Sequence, residues 1–296
     1  MKIFFVVGPT GSGKSQYALQ RAQSCEGVIV NCDSIQQYAH LKIGAALPSE
    51  EDFDRVQHYL YSYVQPPNEN TVGDYHRDFF SLLDKLNSEG VENVFVVGGT
   101  GFYFQAIEKG LFPVGKSNSH TIEQLELVAE KPEGLWELYL ELKKIDPESA
   151  EKIHPNDAYR VVRAIEIWRR TLMKPSVVAN LHRSQQSPFP YPLEKIGIHW
   201  ERSELHTRIE MRIHEMLKSG LIQEVENLLH MGLATWAPLQ SVGYKEVQLY
   251  LNGNLGSKTI LEQKILFSTR QLAKRQLTWF RRDLSIQWLS GSQISN

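Results

Sequence analysis

Short apolar runs alternate with amphipathic stretches over the first third of the chain. Ile3 to Val7 is apolar throughout and ends at a glycine, the pattern of a strand buried on both faces. A helix is predicted from Lys14 to about Ser24. Val28 to Val30 makes a second short strand, ending at Asn31-Cys32-Asp33-Ser34, and Val94 to Val97 a third, ending at Gly98-Gly99-Thr100-Gly101. Between these two, Tyr75, Phe79, Leu82, Leu83 and Leu86 recur at helical spacing within Asp74 to Leu86. Strands alternating with helices predict right-handed βαβ units and a parallel sheet with helices on both faces. Asp33, at the end of the second strand, is expected next to the loop of the first. Ligands bind beyond the carboxyl ends of such strands, so the three polar or glycine-rich ends should converge on one crevice.

The pattern then changes. Leu111 to His120 is a break bearing Pro, Gly and Ser, and the stretch from His120 to about Thr171 is helical throughout: Leu125 to Val128, Leu135 to Leu142 and Ala158 to Arg170. A second break, Ser184 to Pro192, precedes a strand at Ile196 to Trp200. Three helices follow, roughly Ser203 to His230, Ser241 to Leu251 and Thr259 to Phe280. The expectation is an α/β core built from residues 1–113 and 187–296, carrying an all-helical insertion at 114–186. No internal repeat or low-complexity segment is present.

Composition adds limits. The chain has 296 residues, 42% apolar and 22% charged, ordinary values for a globular protein. No apolar run approaches the roughly 20 residues needed to cross a bilayer. Ile3 to Val7 leads straight into a glycine-rich loop and has no cleavage site, so it is not a signal peptide, and a cytoplasmic location is expected. Cys25 and Cys32 match no metal-ligand spacing and read as small packing residues. The net charge of −2 hides an asymmetry: Lys264, Arg270, Lys274, Arg275, Arg281 and Arg282 follow one another with no Asp or Glu between them. That block gives the chain a polarised surface, and within it Ile265, Phe267, Leu272, Leu277 and Phe280 should pack.

Gly8-Pro9-Thr10-Gly11-Ser12-Gly13-Lys14-Ser15 fits G-x-x-x-x-G-K-[ST] in the required strand–loop–helix setting. Its amides and the following helix N-terminus suit an anion, Lys14 adds a point charge, and the Ser15 hydroxyl is placed for Mg²⁺. The loop alone does not choose its ligand. ATP is the commonest occupant, so nucleotide binding and a kinase are the default. Against a kinase, the strand Val94 to Val97 ends without an Asp for a second Mg²⁺ contact, and no Arg-rich lid is evident. Asp33 could be a general base, a metal ligand or a helix cap.

With Gly8 to Ser15, the blocks Asn31 to Tyr38, Ile43-Gly44, Gln57 to Leu60, Pro66 to Glu69 and Val96 to Tyr103 resemble the tRNA dimethylallyltransferases. So do Ile153 to Asp157, Arg160 to Glu166, Val242 to Glu246 and Thr269 to Arg281. They run in family order along nearly the whole chain. The resemblance implies transfer of a five-carbon allylic group from dimethylallyl diphosphate to N6 of adenosine 37, in tRNAs reading codons that begin with U. Gly8, Pro9, Thr10, Gly11, Ser12, Gly13, Lys14 and Ser15 would hold the diphosphate, with Ser15 on the Mg²⁺ side and Arg212 reaching the same group. Arg208 sits four residues before it on one helical face. Asp33 carries over as the base that takes the N6 proton, and Thr100 as a residue beside the adenosine. Asp33, Ser34, Ile35, Gln36 and Thr100 would line the tRNA side, with Tyr159, Arg160, Val161, Val162 and Arg163 on the insertion and Lys274 and Arg275 on the tail. The base would be extruded from its loop into the pocket. From His154 to Arg183 six Lys/Arg stand against two acids, which suits a phosphate backbone.

The resemblance is imperfect. Residues 115–131 contain no Arg where relatives often have one, and Gly11 and Ser15 stand where many have Ala and Thr. No zinc-finger extension follows the tail, so the bacterial type is implied, with no structural metal, no obligate protein partner and a monomeric state expected. A small-molecule kinase, a non-catalytic RNA-binding relative and an enzyme prenylating free adenine nucleotides remain the alternatives. The basic insertion and tail speak against the first and the last, and intact Lys14, Ser15 and Asp33 against the second.

Overall fold

In the computed structural model, residues 1–111, 119–184 and 188–294 are described. Six parallel strands form one sheet in the order β3-β2-β4-β1-β5-β6: β1 (Lys2–Val7), β2 (Val28–Asn31), β3 (His58–Tyr59), β4 (Asn93–Gly98), β5 (Leu193–His199) and β6 (Gln287–Ser290). The helices beside the first four strands are α1 (Lys14–Ser24), α2 (Glu50–Arg55), α3 (Val72–Ser88) and α4 (Gly101–Lys109). This is the doubly wound, phosphate-loop type of sheet that the alternating pattern predicts.

Strand periodicity sorts the core into two layers. Ile3, Phe5 and Val7 join Val28, Val30, Tyr75, Phe79 and Leu83 of α3 on one face. Phe4 and Val6 join Ala18 and Leu19 of α1, with Ile29, Phe95 and Val97, on the other. β2 does not lie beside β1, because β4 is hydrogen-bonded between them, pairing Val6 with Val97 and Val30 with Val96.

The chain separates into two compact units, Met1–Glu108 with Phe189–Asn296, and Lys109–Pro188. The boundaries expected at 113/114 and 186/187 fall outside the described residues. The second unit holds α5 (Ser119–Ala129), α6 (Gly134–Ile145), α7 (Pro147–Lys152), α8 (Ala158–Thr171) and α9 (Pro175–Ser184) around Leu125, Leu138, Leu142, Val161 and Ile165. Asp146 caps α7 and also accepts from the backbone N–H and hydroxyl of Ser176, which ties in α9.

The first unit is completed by α10 (Arg202–Lys218), α11 (Leu221–His230), α12 (Tyr244–Leu251), α13 (Lys258–Phe280) and the short α14 (Gly291–Ile294). The single helix expected over Ser203 to His230 is two, since Gly220 at φ 101° takes a left-handed turn that breaks it. Leu205, Ile209, Ile213, Val225, Tyr244, Leu261 and Ile265 fill the core of this helical layer. Two packing assignments also change: Phe267 is 66% exposed on α13, and Cys25 is exposed at the end of α1 while Cys32 is buried.

Candidate active site

The carboxyl ends of β1, β4 and β2 lie side by side, so their three connecting loops meet. Gly11 (φ 79°) and Gly13 (φ 86°) take left-handed conformations that a side chain would strain, and the turn closes with the Ser12 N–H donating to the Pro9 carbonyl at 3.2 Å. Gly13 is the N-cap of α1, so Lys14 and Ser15 open the helix where unpaired amides and the dipole favour an anion. Ser12 is buried, and Ser15 is exposed.

Electrostatics mark the same place. Burial pushes the Lys14 ammonium down to about 8, against the opposing pull of Asp33, and neighbouring Arg212 lowers it further. Burial also lowers the pKa of Arg212, again opposed by Asp33. Among the described residues Arg212 makes no ion pair within 4.0 Å, and the two half-buried cations at the loop are each coupled electrostatically to one carboxylate, Asp33. Such a cluster is stabilised by an anion with more charge than Asp33 supplies.

Arg208 behaves differently from its neighbour one turn on. Its Nε donates to the Gly11 carbonyl at 2.9 Å, and its guanidinium lies 4.3 Å over the Trp200 ring. Trp200 in turn donates from Nε1 to the Ser12 carbonyl at 2.9 Å. Arg208 and Trp200 therefore brace the loop, while Arg212 is free to meet a ligand. A cavity of about 390 Å³ lies over the loop, lined by Gly11, Gly13, Lys14, Ser15, Arg208 and Arg212. A second of about 170 Å³ shares Ser15, Gln16 and Arg212 and continues between Leu19, Leu47, His58 and Tyr61.

Asp33 follows β2 in a tight turn, where its Oδ1 accepts from the Ile35 N–H at 2.9 Å and the Asn31 side chain accepts from its own N–H at 2.9 Å. The Ser34 N–H donates to Thr100 Oγ1 at 3.0 Å, which joins the β2 and β4 loops. Gln36 Nε2 donates to the carbonyls of Ala45 and Ala46. Ile35 is half-buried against the helical layer.

Sequence reading missed one residue that binds the site together. Gln276 on α13 accepts from the Thr10 N–H at 2.8 Å and donates to the Gly99 carbonyl at 3.1 Å, linking the glycine loop to the β4 loop. A Cβ on Gly99 would meet Gln276 Nε2 at 2.2 Å, and one on Gly101 would meet the Trp279 ring at 2.1 Å. The glycines are small because these two side chains pack on them. The signal was in the chain: an uncharged Gln between Arg275 and Trp279 in a block otherwise read for its charges.

Lys274 and Arg275, on the same helix, are exposed. In the helical unit, Tyr159 is 76% exposed at the start of α8. Arg160 pairs with Asp157, and Arg163 pairs with Glu166 at 2.5 Å, a buried carboxylate that also holds Arg170 at 2.8 Å. Val161 and Val162 are buried in that unit's core, so they position α8 and present no side chain to a ligand. Among the described residues no group of three or more His, Cys, Asp or Glu could hold a metal, and no helix is long and apolar enough to cross a membrane.

Residues 36–283 match the family model described as IPP transferase. The chain belongs to the IPP transferase family. It is 49% identical over 290 residues to a tRNA dimethylallyltransferase of Bdellovibrio bacteriovorus, covering 98% of this chain and 93% of that relative. It is 38% identical to that of Geobacter sulfurreducens, over 97% of this chain and 91% of that relative. Among solved structures it is similar to a full-length tRNA isopentenylpyrophosphate transferase of Bacillus halodurans, at TM-score 0.71 and 31% identity, covering 99% of this chain and 93% of that one. A eukaryotic dimethylallyltransferase acting on tRNA matches at TM-score 0.83 and 25% identity, over all of this chain and 75% of that one. The IPP transferase match begins at Gln36, so the glycine loop and Asp33 lie just ahead of it.

Proposed function

We propose that this protein transfers a dimethylallyl group from dimethylallyl diphosphate to N6 of adenosine 37 in tRNAs reading codons that begin with U. One observation carries the reading within the family: a carboxylate, Asp33, is coupled electrostatically to two half-buried cations at a glycine loop, with Thr100 bonded to the same turn. Against a kinase, β4 runs into Gly98-Gly99-Thr100 with no Asp for a second Mg²⁺ contact.

In this reading the bond from the allylic carbon to the diphosphate oxygen breaks as the bond from that carbon to N6 forms. Lys14, Arg212 and the loop amides stabilise negative charge on the departing diphosphate, the kind of electrostatic contribution that dominates many enzymes. Asp33 accepts the N6 proton, which offsets the poor nucleophilicity of an amine conjugated into its ring. Thr100 and Ser34 hold the turn that aims Asp33. Mg²⁺ fits this arrangement: Ser15 offers one exposed hydroxyl oxygen beside the loop, and Mg²⁺ is commonly held by few protein groups plus substrate phosphates and water. Bound there, Mg²⁺ would neutralise diphosphate charge.

Exposed Lys274, Arg275 and Tyr159 supply the RNA contacts in this proposal, with the protein acting in the cytoplasm as a monomer. The test is incubation with labelled dimethylallyl diphosphate, Mg²⁺ and an anticodon stem-loop carrying adenosine 37. Label should appear on the RNA, and Asp33→Ala should abolish transfer with RNA binding nearly intact. Label on AMP and none on RNA would overturn the acceptor, and an Asp33→Ala variant near full rate would overturn the base.

A further inference from the structure

Glu224 on α11 lies outside every motif discussed above, yet it holds four hydrogen bonds. Its Oε2 accepts from the backbone N–H of Lys42 at 3.1 Å and of Ile43 at 2.8 Å. Its Oε1 accepts from the N–H of Gly44 at 3.1 Å and from the Tyr244 hydroxyl at 2.7 Å. That hydroxyl accepts the next amide, Ala45 N–H, at 3.0 Å. Four consecutive backbone donors are thus collected by one carboxylate and one phenol. Bonds to an ionised acceptor are about twice as strong as neutral ones, so the ladder is firm. The fit is close: a Cβ on Gly44 would meet the Tyr244 ring at 2.5 Å. Buried Tyr244 has its hydroxyl pushed well above the usual range, by burial first and by Glu224 next, so it stays a donor.

The loop fixed in this way faces the site. Ala46, Leu47 and Pro48 line the second cavity together with Ser15, Tyr61 and Arg212. Ala46 is held at φ 49°, a left-handed conformation uncommon for a side-chain-bearing residue. The carbonyls of Ala45 and Ala46 are the two acceptors of the Gln36 amide, and Gln36 lies in the turn that follows Asp33. An unbroken run of contacts therefore leads from α11 and α12, through the loop, to the turn of the proposed base.

We propose that Glu224 and Tyr244 are positioning residues, which set the loop 42–47 and through Gln36 the orientation of the Asp33 turn. The proposal rests on the reading of Asp33 as the base. The test uses Glu224→Gln, which keeps the size but turns an amide nitrogen toward backbone donors, and Tyr244→Phe, which removes one hydroxyl and remains foldable if the first variant does not. Hydrogen exchange should quicken in peptides covering 42–47 and also in those covering 33–38, with the sheet unchanged. Turnover of dimethylallyl transfer should fall roughly tenfold while KM for the donor stays within about twofold, the split expected when geometry rather than binding is lost. Unchanged exchange at 33–38, or unchanged turnover in a variant whose loop has loosened, would overturn the proposal. If the wild-type protein transfers nothing to RNA, the assigned reaction fails, and the exchange measurement still decides whether Glu224 governs the Asp33 turn.

Discussion

At the scale of single residues, the site is set by charges that the fold has partly removed from water. Lys14 is the clearest case. Burial pushes its pKa from 10.5 down to about 8, with Asp33 opposing and Arg212 reinforcing. A bound diphosphate favours the charged form, so the sign follows. Below about pH 8 the free protein already carries the proton. Above it, binding must recover that proton, and donor affinity should fall by about tenfold per pH unit. The same shift makes the unliganded fold less stable below about pH 8, a penalty that fades as pH rises toward the unfolded value of 10.5. Calorimetric titration of dimethylallyl diphosphate from pH 6.5 to 9.5 should show the break near 8, and Lys14→Arg should abolish it, since a guanidinium does not titrate there. A flat wild-type profile would remove Lys14 from the proposed diphosphate site. Lys14, Ser15 and Asp33 were legible because each sits at a fixed offset from a glycine or a strand end. Arg212 needed the family resemblance, because an arginine on a helix reads equally well as solvated surface.

At the scale of elements, the long α13 does more than its charges suggest. Gln276 reaches the Thr10 N–H and the Gly99 carbonyl, and Trp279, one turn on, covers Gly101. Replacing Gln276 with Leu keeps the volume and leaves both backbone groups without their partner, at roughly 1–3 kcal/mol for each buried group left unsatisfied. Because those groups belong to the two loops that must stay in register, kcat/KM should drop by roughly ten- to a hundred-fold. Steady-state transfer assays alongside thermal melts would check this, and a loss of stability at unchanged kcat/KM would reduce Gln276 to a packing residue. Local pattern predicted β1, β2, β4 and α1 well, since apolar runs and glycines are local signals. It could not place β4 between β1 and β2, which depends on pairing between distant segments. Nor could it find β3, two residues long, or β6, which opens on a Gln, because both are strands by virtue of their neighbours. The break between α10 and α11 was visible as Gly220, but a glycine inside a helical pattern is often tolerated.

Across the whole molecule the net charge of −2 is uninformative, and the useful quantity is which cations are already spent. The sequence put Arg163 and Lys274–Arg275 in the same role. The structure separates them. Arg163 is bonded to Glu166, which is fully buried and shared with Arg170, so this cation serves the interior of the helical unit. Lys274 and Arg275 are exposed on α13 and make no ion pair within 4.0 Å among the described residues, as do Arg281 and Arg282 farther along. Phosphate contacts release counterions, so each cation that touches RNA steepens the dependence of binding on salt. Replacing Lys274 and Arg275 together with Ala should flatten the slope of log K against log salt by roughly 1.5 to 2 for a stem-loop ligand. Arg163→Ala should leave that slope nearly unchanged and lower the melting temperature instead, because Glu166 would lose one of the two cations that compensate its burial. Filter binding over a salt series, paired with melts of both variants, separates the outcomes. A slope that moves with Arg163 and not with Lys274 and Arg275 would transfer the proposed RNA backbone contact from α13 to α8.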